Sequence, residues 1–223
     1  MIHPSLKEPL AKYVEAWRQA EESIKAAEQT ENTLNVAPIV ELRYAGRRFI
    51  EIIDICTNHG CDNYEEKLDE FRSIIFEATQ NCIRARNDAI DIIILFITLY
   101  FVNAEDKYGV GIIREYFPSY NEIRNLIFQM QDKESESRSK ELSGRNQEYD
   151  EMQVTHLPRA IELYRGMLLS EEIIEKEIDQ ANEKLEKKKK AQKIQNYISW
   201  GIAAVSAIIG IGSLIVSLLL LLN

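Results

Sequence analysis

The stretch ISWGIAAVSAIIGIGSLIVSLLLLL, residues 198–222, decides the architecture of this chain. It carries no charge, and as a helix rising about 1.5 Å per residue it covers roughly 37 Å, enough for a hydrocarbon core of about 30 Å. Tyr197 and Trp200 stand at its entry, where amphipathic rings favour the headgroup layer. Immediately before it lie Lys184, Lys187, Lys188, Lys189, Lys190 and Lys193, with Glu186 the one acid among them. Lysines on that side keep it cytoplasmic, so the expectation is a single-pass membrane protein with its N-terminus in the cytosol. Only Asn223 follows the span, and the opening MIHPSLKEPL has no apolar signal-peptide core, which together predict a tail-anchored topology.

Within the span, Ser199, Ala203, Ser206, Gly210, Ser213 and Ser217 recur at alternating spacings of four and three. That places small residues on one face and Ile, Val and Leu on the other. Small residues let helices approach closely in lipid, and hydroxyls can bond across the contact, so the seam predicts a homo-oligomer. Four serines make only a weakly polar lining, with no charged ring of the kind selective channels use.

The charge balance divides at the same place. The chain of 223 residues has 27 basic and 36 acidic groups, a net −9, but residues 1–183 hold 21 basic and 35 acidic groups, a net −14. A body that acidic repels a phosphate backbone, which argues against nucleic acid as a partner. Nine glycines, five prolines and three cysteines exclude collagen-like and disulfide-scaffold classes.

Helical periodicity dominates the body and strand alternation is almost absent. Ser5 with Glu8 reads as a capping box opening a helix to about Asn32, its second half, EESIKAAEQTEN, reading as solvated. Pro38 starts the next helix, with Ile39, Leu42, Tyr44, Phe49, Ile52 and Ile53 inward, and Asn58-His59-Gly60 reads as its terminating turn. Asp62 and Glu65 read as a second capping box before a long apolar stretch to Val102. Its residues 92–102 are apolar all round except Thr98, too few to cross a bilayer, so they predict the central helix of a bundle. Gly109 and Gly111 break the chain, and a short helix reaches Phe117 before Pro118. Ser119 and Glu122 then open a helix with Ile123, Leu126, Ile127 and Met130 inward.

Residues 131–153, QDKESESRSKELSGRNQEYDEMQ, are almost wholly polar and predict a flexible loop or an exposed helical hairpin. A helix resumes near Thr155 with Leu157, Ile161, Tyr164, Leu168 and Leu169 at helical intervals. A weak stripe of Ile174, Ile178, Ala181 and Leu185 marks a stalk with short coiled-coil character. The expected plan is therefore all-α: a cytosolic bundle over 1–169, a stalk over 170–197 and an anchor over 198–222.

Chemistry-bearing motifs are few. CTNHGC places Cys56, His59 and Cys61 together, with Cys82 distant; that is short of two ligand pairs, so small core thiols are the better reading and no metal or cofactor is expected. Arg43, Arg47 and Arg84 form a candidate anion site if their two helices pack antiparallel, against the plainer expectation that they pair with nearby carboxylates. Arg84 and Arg86 are two apart and point to different faces. None of His3, His59 and His156 follows an arginine at the short spacing of helical ribonucleases, and GVGIIR lacks the lysine of a phosphate loop. The expectation is a non-enzymatic effector or signalling protein. A cytosolic partner or small-molecule trigger acts on the bundle and an oligomerising anchor perturbs the membrane, an arrangement suited to bacterial defence at the inner membrane. A passive tether and a divergent helical enzyme are the alternatives.

Overall fold

The computed structural model describes residues 3–58, 67–140 and 142–221, with side-chain detail over 3–55, 67–140 and 144–203. It is all-α, with no strand among the described residues. A 3-10 turn, Pro4–Leu6, leads into α1 (Lys7–Glu31); α2 (Val36–Asn58), α3 (Leu68–Tyr108), α4 (Val110–Tyr116), α5 (Tyr120–Ser139) and α6 (Leu142–Glu151) follow. A π-helical turn, Met152–His156, then joins α7 (Leu157–Leu221). The chain divides into two compact units, Met1–Leu169 and Ser170–Asn223.

In the first unit α3 is the axis. Phe71, Ile75, Ile90, Ile93, Ile94, Ile97 and Phe101 are buried along it. Residues Ala78, Cys82, Ala85 and Ala89 form a buried small-residue row that admits close helix packing. α3 is long and apolar enough to cross a membrane. Within residues 92–102 the helix is covered on one side: Ile93, Ile94, Ile97 and Phe101 are buried, while Leu95, Leu99 and Val102 are exposed.

The neighbours of α3 are fixed by polar registers. Arg84 meets Glu41 at 3.2 Å and Arg48 meets Glu77 at 3.1 Å, so α2 runs antiparallel to α3. α5 is antiparallel too, since Tyr120 donates to Glu105 at 2.8 Å and Gln131 donates to Thr98 at 3.3 Å. α1 packs against α3 with Gln19 at Arg86. From the start of α7, Tyr164 sets its ring edge-on to Phe96 and Tyr100, with centroids 5.6 and 4.9 Å away. Gly109, at φ 80°, ends α3: its N–H reaches Glu105 O at 2.9 Å in a backbone conformation glycine adopts freely.

Several expectations need correction. Ser5 does not cap the first helix: His3 caps the 3-10 turn, its ring accepting from Ser5 N, and α1 begins after Leu6 with no side-chain cap bond. Ser119 sits at the N-cap of α5 but makes no side-chain cap bond, because its φ −79°, ψ 7° is a turn geometry and not the extended one that aims a hydroxyl at the helix. The second half of α1 is not solvated: Ser23, Ile24, Ala27 and Thr30 are buried, and Thr30 satisfies its hydroxyl on Ala26 O at 2.7 Å. On α2, Tyr44 and Ile53 are exposed, while Ala45 takes the contact face. Leu168 and Leu169 are also exposed, and Leu157, Ala160, Leu163, Tyr164 and Met167 form the inner face.

Of the polar segment 131–153, residues 131–139 and 142–151 are α-helical, so of the two expectations, loop or helical hairpin, the described residues match the helical one, with Ser137, Tyr149 and Met152 buried. The Asp62–Glu65 box and the turn at His59 and Gly60 lie outside the described residues.

In the second unit the helix is continuous to Leu221. Ala181 and Leu185 of the stripe are exposed, and Lys187 pairs with Glu183 at 2.8 Å on the surface.

Candidate functional site

The sequence points to three places: the seam in the span, the arginines of α2 and α3, and the cysteine cluster. In the seam, residues 198–221 are helical. Ser199 donates to Gln195 O at 3.0 Å, the back-bond that hides a hydroxyl within its own helix. Tyr197, Trp200 and Ile202 are exposed, as is Ala203. The side chains of Ser206, Gly210, Ser213 and Ser217 lie outside the described residues. Of the interfacial lysines, Lys187 and Lys189 hold surface pairs with Glu183 and Glu186 at 2.8 and 3.5 Å. Pairs this exposed add little to stability.

The antiparallel packing of α2 on α3 does bring arginines together. Arg47, Arg48 and Arg84 line a cavity of about 490 Å³ with Glu41, Tyr44, Glu51 and Asn81; Arg43 does not line it. Two of the three guanidinium groups are already matched. Arg84 donates to Glu41 at 3.2 Å and to Asn81, and Arg48 pairs with Glu51 at 2.9 Å and Glu77 at 3.1 Å. The hydrogen bond to Glu51 raises the Arg48 pKa from its ordinary value. Carboxylate pairing therefore accounts for Arg48 and Arg84, through one near neighbour in sequence, Glu51, and two partners supplied by the fold, Glu41 and Glu77.

The cysteines offer no reactive centre among the described residues. Cys82 is buried, and burial pushes its thiol up to about 12, which leaves it protonated and inert. Cys56 is in α2 with its side chain outside the described residues, as are His59 and Cys61 entirely. Among the described residues no group of His, Cys, Asp and Glu is arranged to hold a metal.

The most unusual electrostatics lie elsewhere, where α6 crosses α3. Arg86 is 3% exposed on the axis of the bundle. Its Nε and Nη2 both donate to Asn87 Oδ1 at 3.2 Å, and its Nη1 donates to Gln19 Oε1 at 3.2 Å and to Asp150. Asp150 is its one ion-pair partner among the described residues. The preceding residue, Tyr149, donates to Asp91 Oδ1 at 2.7 Å. Burial raises the Asp91 carboxyl to about 6, opposed by the Tyr149 hydrogen bond. Burial and that same acceptor also raise the Tyr149 pKa.

Gln153 Nε2 adds a bond to Ser23 of α1 at 3.2 Å, and Lys133 joins Glu148 and Glu151 at 3.0 and 2.8 Å. Beside this clasp is a cavity of about 470 Å³ lined by Ala11, Ala16, Gln19, Ile83, Arg86, Asn146 and Asp150, among others. The Oδ1 of Asn146 is buried without a hydrogen-bond partner.

Sequence reasoning missed this site. It separated Arg86 from Arg84 correctly, since Arg84 is exposed and Arg86 buried, but nothing local names Asp150 as the partner. Tyr149 and Met152 were the available signal, large side chains inside an otherwise polar run. No family profile, no curated protein and no solved structure matches this chain.

Proposed function

We propose that this protein is a membrane-anchored helical effector or signalling protein, without enzymatic activity, whose bundle senses a cytosolic partner or ligand and whose anchor self-associates to perturb the membrane. The observation that carries the reading is the charge-free stretch 198–222, with small residues at alternating spacings of four and three and six lysines just before it. The acidic bundle is the receiving part. It carries a net −14 over residues 1–183, which favours a protein surface or a small ligand over a nucleic acid. A bacterial inner membrane is the setting this layout suits.

Replacing Ser206 and Gly210 with leucine fills the seam without changing the apolar length. The double variant loses the crosslinked oligomers that the wild type forms in detergent, together with any membrane damage on expression. Unchanged oligomers contradict the reading. If an unrelated span of similar length preserves all activity, the segment is a passive tether and the effector role falls.

A further inference from the structure

The clasp at Arg86 has the composition of a small binding site already filled by the protein's own side chain. An arginine stays charged at any ordinary pH, so one this buried requires an anion beside it. Here that anion is Asp150, whose side chain is 59% exposed against 4% for that of Arg86. It stands on α6, a ten-residue helix of sequence LSGRNQEYDE with few apolar anchors. Asn87 and Gln19 hold the guanidinium plane from the other sides, each accepting at 3.2 Å. The charge is thus fixed in the bundle, while its counter-charge sits on a polar, partly solvated element.

The cavity alongside supplies the rest. Its volume of about 470 Å³ admits a compact molecule, and Ala11, Ala16 and Ile83 give it an apolar wall. Asn146 lines it and has a buried oxygen with no donor. Native proteins rarely leave such an oxygen unmet; it is closed off while Asp150 holds α6 in place, and an N–H or O–H group of a bound molecule reaches it only once that end of α6 moves. On the same lining Lys12 is paired with Glu8 at 2.8 Å, which leaves Glu15 to disfavour a multiply charged phosphate. A planar carboxylate matches the guanidinium fork and carries the single charge that Asp150 supplies.

We propose that this cavity binds a small carboxylate bearing a hydrogen-bond donor, which displaces Asp150 from Arg86 and so frees the end of α6. The inference rests on the reading of the bundle as the sensing part and names its ligand class. Release of Asp150 loosens the end of α6 next to the π-helical turn Met152–His156, a segment type frequent at functional sites.

The test uses the full chain in an uncharged detergent, with thermal unfolding followed in lactate, propionate or inorganic phosphate. Asp150→Asn leaves Arg86 without its anion and lowers the melting temperature. Lactate restores it, with an affinity about tenfold above that for the wild type, where Asp150 competes. Propionate, which has no hydroxyl donor, restores it less, and Asn146→Leu removes that difference. Phosphate gives no more than its ionic-strength effect.

If Asp150→Asn is not rescued by lactate, or if phosphate rescues as well as lactate, the inference is wrong. Oligomer formation by the same preparations, measured by crosslinking, reports the anchor separately. Oligomers without carboxylate binding overturn only this inference, and their absence overturns the functional proposal.

Discussion

Tyr149 Oη donates to Asp91 Oδ1 at 2.7 Å, while the next residue, Asp150, engages Arg86 on the same helix. Two consecutive residues of α6 thus pin two separate positions of α3. A helix with almost no apolar surface of its own is held to the bundle by buried polar chemistry. Such contacts are specific but vulnerable, since removing one partner strands the other in a low-dielectric site.

Asp91 makes the clasp sensitive to pH. Burial lifts its pKa from an ordinary 3.8 to about 6, with Tyr149, Glu134, Arg138 and Asp88 around it. The folded state therefore binds the proton more tightly than the unfolded chain. The contribution is fully present below the unfolded value and is lost as pH rises through about 6. Chemical denaturation of wild type and Asp91→Asn at pH 4 and pH 7 checks this: wild type loses stability relative to the variant across that interval.

Tyr149→Phe removes the one hydrogen bond that opposes the rise in Asp91. The carboxyl midpoint, followed by carbon NMR of labelled aspartate, moves above about 6. Stability at neutral pH falls by about 1–3 kcal/mol, the usual cost of leaving a buried acceptor unmet.

α3 has the length and apolarity to cross a membrane, and two substitutions show how it uses them. Ile97 is 0% exposed and Leu99 is 51% exposed. In a bundle core, Ile97→Ala costs about 2–5 kcal/mol and Leu99→Ala stays within about 0.5 kcal/mol. Denaturation midpoints of the two variants check it, and equal effects would argue against α3 as the axis of the bundle.

Gly109 closes α3 at φ 80°, and a Cβ placed on it would meet no atom within 4 Å. Space is not the constraint there; backbone conformation is. Gly109→Ala therefore destabilises by about 1–3 kcal/mol through strain alone, visible as a lower melting temperature with unchanged helicity.

Much of this was legible in the sequence, for identifiable reasons. The apolar run at residues 92–102 specified a central helix, buried on the side of Ile93, Ile94, Ile97 and Phe101, and Gly109 and Pro118 bracketed α4 because both act locally on the backbone; Gly111, also read as a break, lies inside α4, since a glycine can be carried within a helix. The second half of α1 reads as solvated because its contact face is built from Ala20, Ser23, Ala27 and Thr30, small side chains that bury without announcing it. Tyr44 and Ile53 failed in the opposite sense: α2 meets α3 through Ala45, and larger apolar groups on its flanks stay outside. The clasp was illegible because Arg86 and Asp150 are joined only by the fold, 64 residues apart. No local pattern marks one carboxylate among 36 acidic residues as the partner of a buried arginine.

The central claim is that residues 198–222 form a membrane helix that self-associates through its small-residue face. Single cysteines placed along 198–217, in a background with Cys56, Cys61 and Cys82 replaced, test it directly by oxidative crosslinking in native membranes. Crosslinking that peaks at 199, 203, 206, 210, 213 and 217, in protein that resists alkaline carbonate extraction, is the predicted result. Crosslinking that is absent or shows no periodicity, or protein that carbonate strips from the membrane, would contradict it.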